Sequence, residues 1–360
     1  MANNKDLQQL RHRIDVIDAQ LLALIGERAE CAMEVARVKR QDGDTHFYRP
    51  EREAQVLQKI MDANNTVLDD KEIARLFREI MSACLALEQP LNVAFLGPEG
   101  TYTQAAALKH FGHSVNTVPV SAIDEVFREV ESGAAHYGVV PVENSTEGVV
   151  SYTLDLFTRS TLKICGEVEV RIHHYLLSTA EQIDQIQRIY SHQQSLAQCR
   201  EWLDSHMPGI ERIAVSSNAE ATRRAQQEPN CAAVAGKITA ELYGLNILAK
   251  NIEDEPDNTT RFLVIGKQAT QPSGNDKTTL LFSMSNCPGA LSAMVAPFGK
   301  YNISMTRIES RPSRRGMWDY VFFVDVAGHA QDADLKQALQ DIEKEASMVK
   351  VLGSYPKVTM

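Results

Sequence analysis

From Leu7 to Lys39 no proline interrupts the chain, and apolar residues recur as Leu7, Leu10, Ile14, Ile17, Leu21, Leu24, Ile25, Val35 and Val38, the three-four spacing of an amphipathic helix. Gly43 sits just past the expected end of this run. About 33 residues of helix make a rod roughly 50 Å long. Two shorter helical patterns follow, at about 50–62 and 69–89, and they are too short to cover the rod's apolar stripe within one chain. The expectation is an all-helical segment, residues 1–90, whose long helix interlocks with a second copy in a homodimer or higher homo-oligomer.

At Leu91 the texture changes. Leu91–Leu96 is a short apolar run that ends in Gly97-Pro98-Glu99-Gly100 and leads into a helical stretch, Thr103–Phe111. Strand-like runs follow at Tyr137–Val142, Val168–Leu177, Arg188–Tyr190, Cys231–Ala235 and Phe262–Ile265, with helical patterns between them. Such alternation predicts α/β architecture with a largely parallel sheet, and residues 91–267 suffice for two lobes around a cleft. A polar linker, 268–277, precedes strand Thr278–Ser285, helix Ala290–Tyr301, strands Ile303–Ser310 and Trp318–Ala327, helix Ala333–Ala346 and strand Val349–Tyr355. That βαββαβ order over 277–357 is a ferredoxin-like unit. The fold class expected is thus multidomain α and α/β.

Net charge is −10, which argues against a nucleic-acid partner. No apolar run approaches the roughly 20 residues that span a bilayer, and the polar start has no secretory apolar core, so a cytoplasmic protein is expected. Cys31, Cys84, Cys165, Cys199, Cys231 and Cys287 are scattered without a CxxC pair, which reads as reduced thiols with neither disulfides nor a metal site. The Gly97–Tyr102 turn is not a G-x-G-x-x-G fingerprint, so no nicotinamide cofactor is expected, nor any other. The turn could hold an anion or be a plain turn. His173-His174, read as adjacent strand residues, would point to opposite faces.

In the helical segment Arg28 and Lys39 lie within about 20° of one helical face, whereas Arg11 is offset by about 100° and some 25 Å along the axis. One small ligand cannot reach Arg11 and Arg28 of the same helix, but it can if Arg11 comes from a partner chain. Cys84 and Glu88 share a face of the third helix, and Arg52 and Glu53 open the second. Taken singly these are solvated charges. Together with L10-R11-x2-I14-D15, E27-R28 and E51-R52-E53 they resemble the all-helical chorismate mutase family. The resemblance implies that Arg28 and a partner's Arg11 hold the two carboxylates of chorismate, with Arg52 supporting. Glu53 would accept from the ring hydroxyl, while Lys39 and Glu88 would donate to the ether oxygen. Relatives often carry Gln in place of Glu88 and Ser in place of Cys84, so Glu88 should act only when protonated.

In the middle segment Pro141–Gly148 (PVENSTEG), Ser191–Cys199 (SHQQSLAQC), Ser216–Glu220 (SSNAE) and Asn258–Phe262 (NTTRF) are dense in small polar residues. In this order they are similar to the prephenate dehydratase family. That resemblance implies Asn144, Ser191, Gln198 and Thr260 around prephenate, with Arg261 as a carboxylate clamp. Thr260 is the first choice of proton donor, Glu143 and Glu147 the alternatives. In the last segment Gly289-Ala290-Leu291-Ser292 and Glu309-Ser310-Arg311-Pro312 could be a close-packed turn and an edge-strand charge pair. They also resemble the ACT domains that accompany prephenate dehydratases, which implies binding of phenylalanine as inhibitor. Two other readings stay open: an aromatic-metabolite sensor without catalysis, and a dehydratase whose helical segment only dimerises.

Overall fold

The computed structural model describes residues 2–43, 48–284, 288–312 and 320–357; Cys287 and the expected strand ends Ser285 and Trp318 lie outside them. The chain divides into a helical unit, residues 1–49, 56–91 and 111–116, and a larger unit made of the rest. Helices α1 (Ala2–Gln41), α2 (Pro50–Asp62) and α3 (Asp70–Glu88) follow the sequence pattern closely. Pro50 opens α2 at its first turn, where a missing N–H costs nothing. Asp69 caps α3 by accepting from the Glu72 amide at 2.9 Å. The C-terminal part of α1 packs on α3 and buries Ala36, while Cys84 is buried on α3. The rest of the α1 stripe is bare within one chain: Leu7, Leu10, Ile14, Ile17, Leu21, Leu24, Ile25, Val35 and Val38 are all between 41% and 61% exposed.

The larger unit opens with β1 (Asn92–Leu96), α4 (Tyr102–Phe111), β2 (Asn116–Val120), α5 (Ile123–Ser132), β3 (Tyr137–Asn144), β4 (Gly148–Val149), α6 (Ser151–Phe157) and β5 (Lys163–Arg171). A second lobe follows: β6 (Tyr175–Ser178), β7 (Arg188–His192), α7 (Gln193–Gln198), α8 (Arg200–His206), β8 (Glu211–Val215), α9 (Asn218–Gln227), β9 (Cys231–Ala235), α10 (Lys237–Tyr243) and β10 (Asn246–Lys250). Strand β11 (Thr259–Gly266) then returns to the first lobe. Its sheet has the order β2-β1-β3-β11-β5 with β4 on β3, and the second lobe's sheet runs β10-β6-β9-β7-β8.

These sheets are mixed, which corrects the expectation of a largely parallel one. Pairs β1–β3, β7–β8 and β7–β9 are parallel, whereas β11 runs antiparallel to β3 and β5, and β6 antiparallel to β9 and β10. The reason is topological: the chain leaves the first lobe along β5 and returns beside it along β11, so the two crossing strands lie side by side in opposite directions. The expected strand Val168–Leu177 is likewise two strands, β5 and β6, in different sheets. His173 and His174 therefore sit in the connection between the lobes and not on a strand.

The last elements are β12 (Asp276–Met284), α11 (Ala290–Lys300), β13 (Met305–Pro312), β14 (Tyr320–Ala327), α12 (Ala333–Glu343) and β15 (Met348–Pro356), in an antiparallel sheet of order β13-β14-β12-β15. One face of this sheet packs its helices through Leu280, Phe282, Phe298, Val324, Leu335 and Ile342. The other face contributes Leu281, Phe323, Leu352 and Tyr355 to one core with Val142, Leu154, Phe157, Ile164 and Leu263 of the first lobe. Contact there is close enough that a Cβ on Gly353 would lie 2.0 Å from the Ile164 carbonyl oxygen.

Candidate functional site

In the helical unit, Glu88 ends α3 half-buried. Burial raises its carboxyl pKa above the ordinary carboxylate value, against the opposing pull of Lys39, Arg28 and Arg40. Arg40 also donates to the Glu88 backbone carbonyl. Cys84 lies one turn earlier, buried. This group brings together Arg28, Lys39, Cys84 and Glu88. Arg11 lies exposed on the same unbroken helix, about 25 Å from Arg28 along its axis. Arg52 and Glu53 lie in the first turn of α2, one exposed and the other half-buried.

In the larger unit the two polar loops meet in the cleft. Asn144 and Thr260 are register partners on β3 and β11, and the Asn144 amide donates to the Thr260 hydroxyl oxygen at 2.8 Å and to Asn258 Oδ1 at 2.8 Å. Asn144 Oδ1 in turn accepts from the amides of Thr146 and Glu147, both at 3.0 Å, which curls the loop around it. From the second lobe Gln198 reaches across: its amide lies 3.5 Å from Thr146 Oγ1 and 3.4 Å from Glu147 Oε1. Its carbonyl oxygen lies 2.9 Å from His174 Nε2. His174 is buried, which lowers its pKa and keeps the ring neutral. The Tyr102 hydroxyl donates to the His173 carbonyl at 2.7 Å and lies 3.2 Å from His174 Nδ1. Glu253 ties the loop down, accepting from the His174 amide at 2.8 Å and contacting His173 Nδ1 at 2.6 Å.

Three expected site residues are placed elsewhere by their packing. Arg261 follows Thr260 on β11 and so points to the opposite face. There it pairs with Glu167 and Asp325, both at 2.8 Å, under the ferredoxin-like sheet, which removes it as a carboxylate clamp in the cleft. Glu143 points the same way and bonds Arg307 at 2.8 Å, so it is not an alternative proton donor in the cleft. Ser191 is fully buried, its hydroxyl bonded to the Val234 carbonyl at 2.6 Å and 3.0 Å from Asn218 Oδ1. It fixes Asn218, which donates to Ser195 Oγ at 2.9 Å, and does not line the cleft. In the Gly97–Tyr102 turn the Gly97 amide donates to the Val120 carbonyl at 2.8 Å and the Gly100 amide to Gln104 Oε1 at 2.6 Å.

Sequence reading missed Tyr102, Thr146, His174, Glu253 and Asn258 as cleft residues. Thr146 and Asn258 stood inside the polar motifs and Tyr102 at the end of the Gly97–Tyr102 turn; the adjacent histidines carried a signal that a loop assignment would have released. Glu253 carried none. In the ferredoxin-like unit, Gly289 has φ +86° and open space where a Cβ would sit, so its backbone conformation and not close packing explains the glycine. Ala290, Leu291 and Ser292 form the first turn of α11 beside it. On β13, Glu309 and Ser310 precede Arg311 and Pro312, and Arg311 pairs at 3.0 Å with Asp155 of α6 and not with Glu309.

Comparison with known proteins gives three consecutive family matches: chorismate mutase type II over residues 10–89, prephenate dehydratase over 93–270 and the ACT domain over 278–344. A bifunctional chorismate mutase/prephenate dehydratase from Pseudomonas aeruginosa is 59% identical over all of both chains. That of Escherichia coli K12 is 32% identical over 99% of this chain and 97% of its own. Among solved structures, the prephenate dehydratase of Arthrobacter aurescens in complex with L-Phe superposes with a TM-score of 0.68 at 33% identity, covering 74% of this chain and 90% of that one. The Staphylococcus aureus prephenate dehydratase does so with 0.66 at 29%, covering 74% and 100%. The structural likeness accounts for the cleft and the sheet beyond it, the sequence likeness for the helices as well, and the chain belongs to the bifunctional chorismate mutase/prephenate dehydratase family.

Proposed function

We propose that this chain rearranges chorismate to prephenate in its helical segment, residues 1–90, and converts prephenate to phenylpyruvate with loss of water and CO2 in the two-lobed segment, 91–267. The ACT segment, 277–357, takes phenylalanine as a feedback inhibitor. The observation that carries the reading is the Asn144–Thr260 pair, bonded across two strands, with Gln198 reaching its loop from the second lobe and held by His174 of the connection between the lobes.

Prephenate becomes aromatic as hydroxide and CO2 leave, so the site need only help the hydroxyl depart and hold the carboxylates. Because Asn144 donates to the Thr260 oxygen, the Thr260 proton is turned outward as a donor to the leaving hydroxyl. Neutral His174 orients Gln198 without placing a competing charge. The mutase reaction needs neither nucleophile nor proton transfer; it needs the chorismate dianion fixed in its reactive conformer and donors at the breaking C–O bond. Arg28, Lys39 and a protonated Glu88 supply that from one subunit, Arg52 and Glu53 assist, and the partner subunit's Arg11 completes the carboxylate grip. The bare stripe of α1 favours such a dimer: covering nine half-exposed aliphatic side chains contributes on the order of 10 kcal/mol.

Purified full-length chain should consume chorismate and, separately, form phenylpyruvate from prephenate, and phenylalanine should inhibit the second reaction. Chorismate consumption without phenylpyruvate would defeat the cleft assignment; phenylpyruvate formation without chorismate turnover would reduce the helices to a dimeriser.

A further inference from the structure

Catalytic partners Asn144 and Thr260 are flanked on their own strands by Glu143 and Arg261, which are also register partners. Strict alternation would send Glu143 into the cleft and Asn144 away from it. A β-bulge prevents this: Arg261 pairs with Glu143 but Phe262 with Pro141, so Val142 and Glu143 together oppose Arg261. The extra residue turns Glu143 onto the face of Arg261, and Asn144 onto that of Thr260. Directly opposite, on the ACT sheet, Arg307 and Asp325 are register partners too. The two pairs lock crosswise, Glu143 to Arg307 and Arg261 to Asp325, both at 2.8 Å. Arg261, Arg307 and Asp325 are only 12%, 14% and 2% exposed, whereas Glu143 keeps 38% of its side chain in contact with water, so the Arg261–Asp325 pair is the better shielded of the two. Glu167, bound to both Arg261 and Lys277, and the Tyr355 and Thr279 hydroxyls complete the contacts. Arg307 lies on β13, the strand that ends in Glu309-Ser310-Arg311-Pro312.

We infer that Glu143 and Arg261 are positioning residues for the dehydratase reaction, held by Arg307 and Asp325 so that strand β13 of the ACT unit sets the geometry of the Asn144–Thr260 pair. The inference rests on the dehydratase reading of the cleft. It makes the sensor sheet part of the catalytic scaffold: a shift of β13 pulls on Glu143, and the residue after Glu143 is the one that orients Thr260.

The test is a charge swap in the full-length chain. Arg307→Glu and Glu143→Arg, each alone, set like charges face to face. Dehydratase kcat should fall on the order of tenfold to a hundredfold, as misplacement of a positioned group does, with a smaller change in KM for prephenate. Mutase activity of the same preparations should be unchanged, which reports a folded chain. Glu143→Arg with Arg307→Glu restores the crosswise attraction but sets like charges beside Arg261 and Asp325, so it should recover part of kcat and part of the response to phenylalanine that each single change weakens. Wild-type kcat in both single variants, or no recovery in the swap, overturns the inference; the latter is also what a direct catalytic role of Glu143 would give. Where a reversal yields insoluble protein, Arg307→Met removes the pair without repulsion and should still lower dehydratase kcat selectively. If wild type makes phenylpyruvate but ignores phenylalanine, the regulatory half of the function fails, and the kcat comparison alone decides the positioning role.

Discussion

Arg261→Met separates two roles for a residue whose motif suggests substrate binding. The Arg261 side chain is 12% exposed and those of Glu167 and Asp325 only 2%, so the arginine neutralises two carboxylates that water does not reach. Removing it strands them unequally. Glu167 keeps the Lys277 ammonium at 2.6 Å, whereas Asp325 keeps the neutral Thr279 hydroxyl at 2.7 Å. Breaking a buried pair costs about 3–5 kcal/mol; with Glu167 still paired, the low end applies, about 3 kcal/mol. Native-state hydrogen exchange suits the measurement, because a multidomain chain need not unfold in one step. Amides of β11 and β14 should exchange roughly 150-fold faster at about 1.4 kcal/mol per decade. Arg261→Met with Asp325→Asn should recover much of that loss, since the stranded charge is gone and the Thr279 bond can remain. A large rise in KM for prephenate with protection unchanged would refute this reasoning and restore the arginine as a carboxylate clamp.

Mutase kcat/KM should fall as pH rises through the Glu88 pKa, which lies above the ordinary carboxylate value, because only the protonated acid donates; Glu88→Gln should flatten that fall while leaving dehydratase activity unchanged. Mixing inactive Arg11→Ala and Arg28→Ala chains under proven subunit exchange should restore mutase activity in heterodimers, and no recovery would rule out a site shared between chains. Gly289→Val forces a β-branched residue to φ +86°, at a cost of about 1–2 kcal/mol, and should weaken inhibition by phenylalanine with basal phenylpyruvate formation retained. Stability should drop as pH falls below the usual histidine range, since His174 is held neutral in the fold yet binds a proton when unfolded; His174→Gln should lessen that drop in a thermal-shift series.

The features legible in the sequence are those carried by local periodicity. Helix α1 follows from its apolar spacing and the absence of proline, and the βαββαβ order follows from alternating runs broken by turns. The Asn144, Gln198 and Thr260 assignments rested on the likeness of their motifs to the prephenate dehydratase family, and the structure brings the three residues together. What was not legible depends on contacts distant in sequence. Arg261 and Asp325 are 64 residues apart in the chain, and no local pattern says that one neutralises the other. Reading Val168–Leu177 as one strand was reasonable on hydropathy alone. It failed because His173 and His174 are held in the crossing by Glu253 and Tyr102, which a short apolar run cannot announce.

The bulge at Val142–Glu143 shows most clearly why motif and geometry differ here. The motif names Glu143 and Asn144 together, and an unbroken strand would offer only one of them to each face. One extra residue reverses which one the cleft receives, sending the amide to Thr260 and the carboxylate to Arg307. The same displacement thus forms the Asn144–Thr260 pair and ties its strand to the sheet beyond. A strand without the bulge would set a carboxylate beside Thr260 and leave Arg307 facing an amide. On the proposed reading, the Asn144–Thr260 pair and its tie to the ACT sheet both rest on a single local irregularity, which neither composition nor periodicity records.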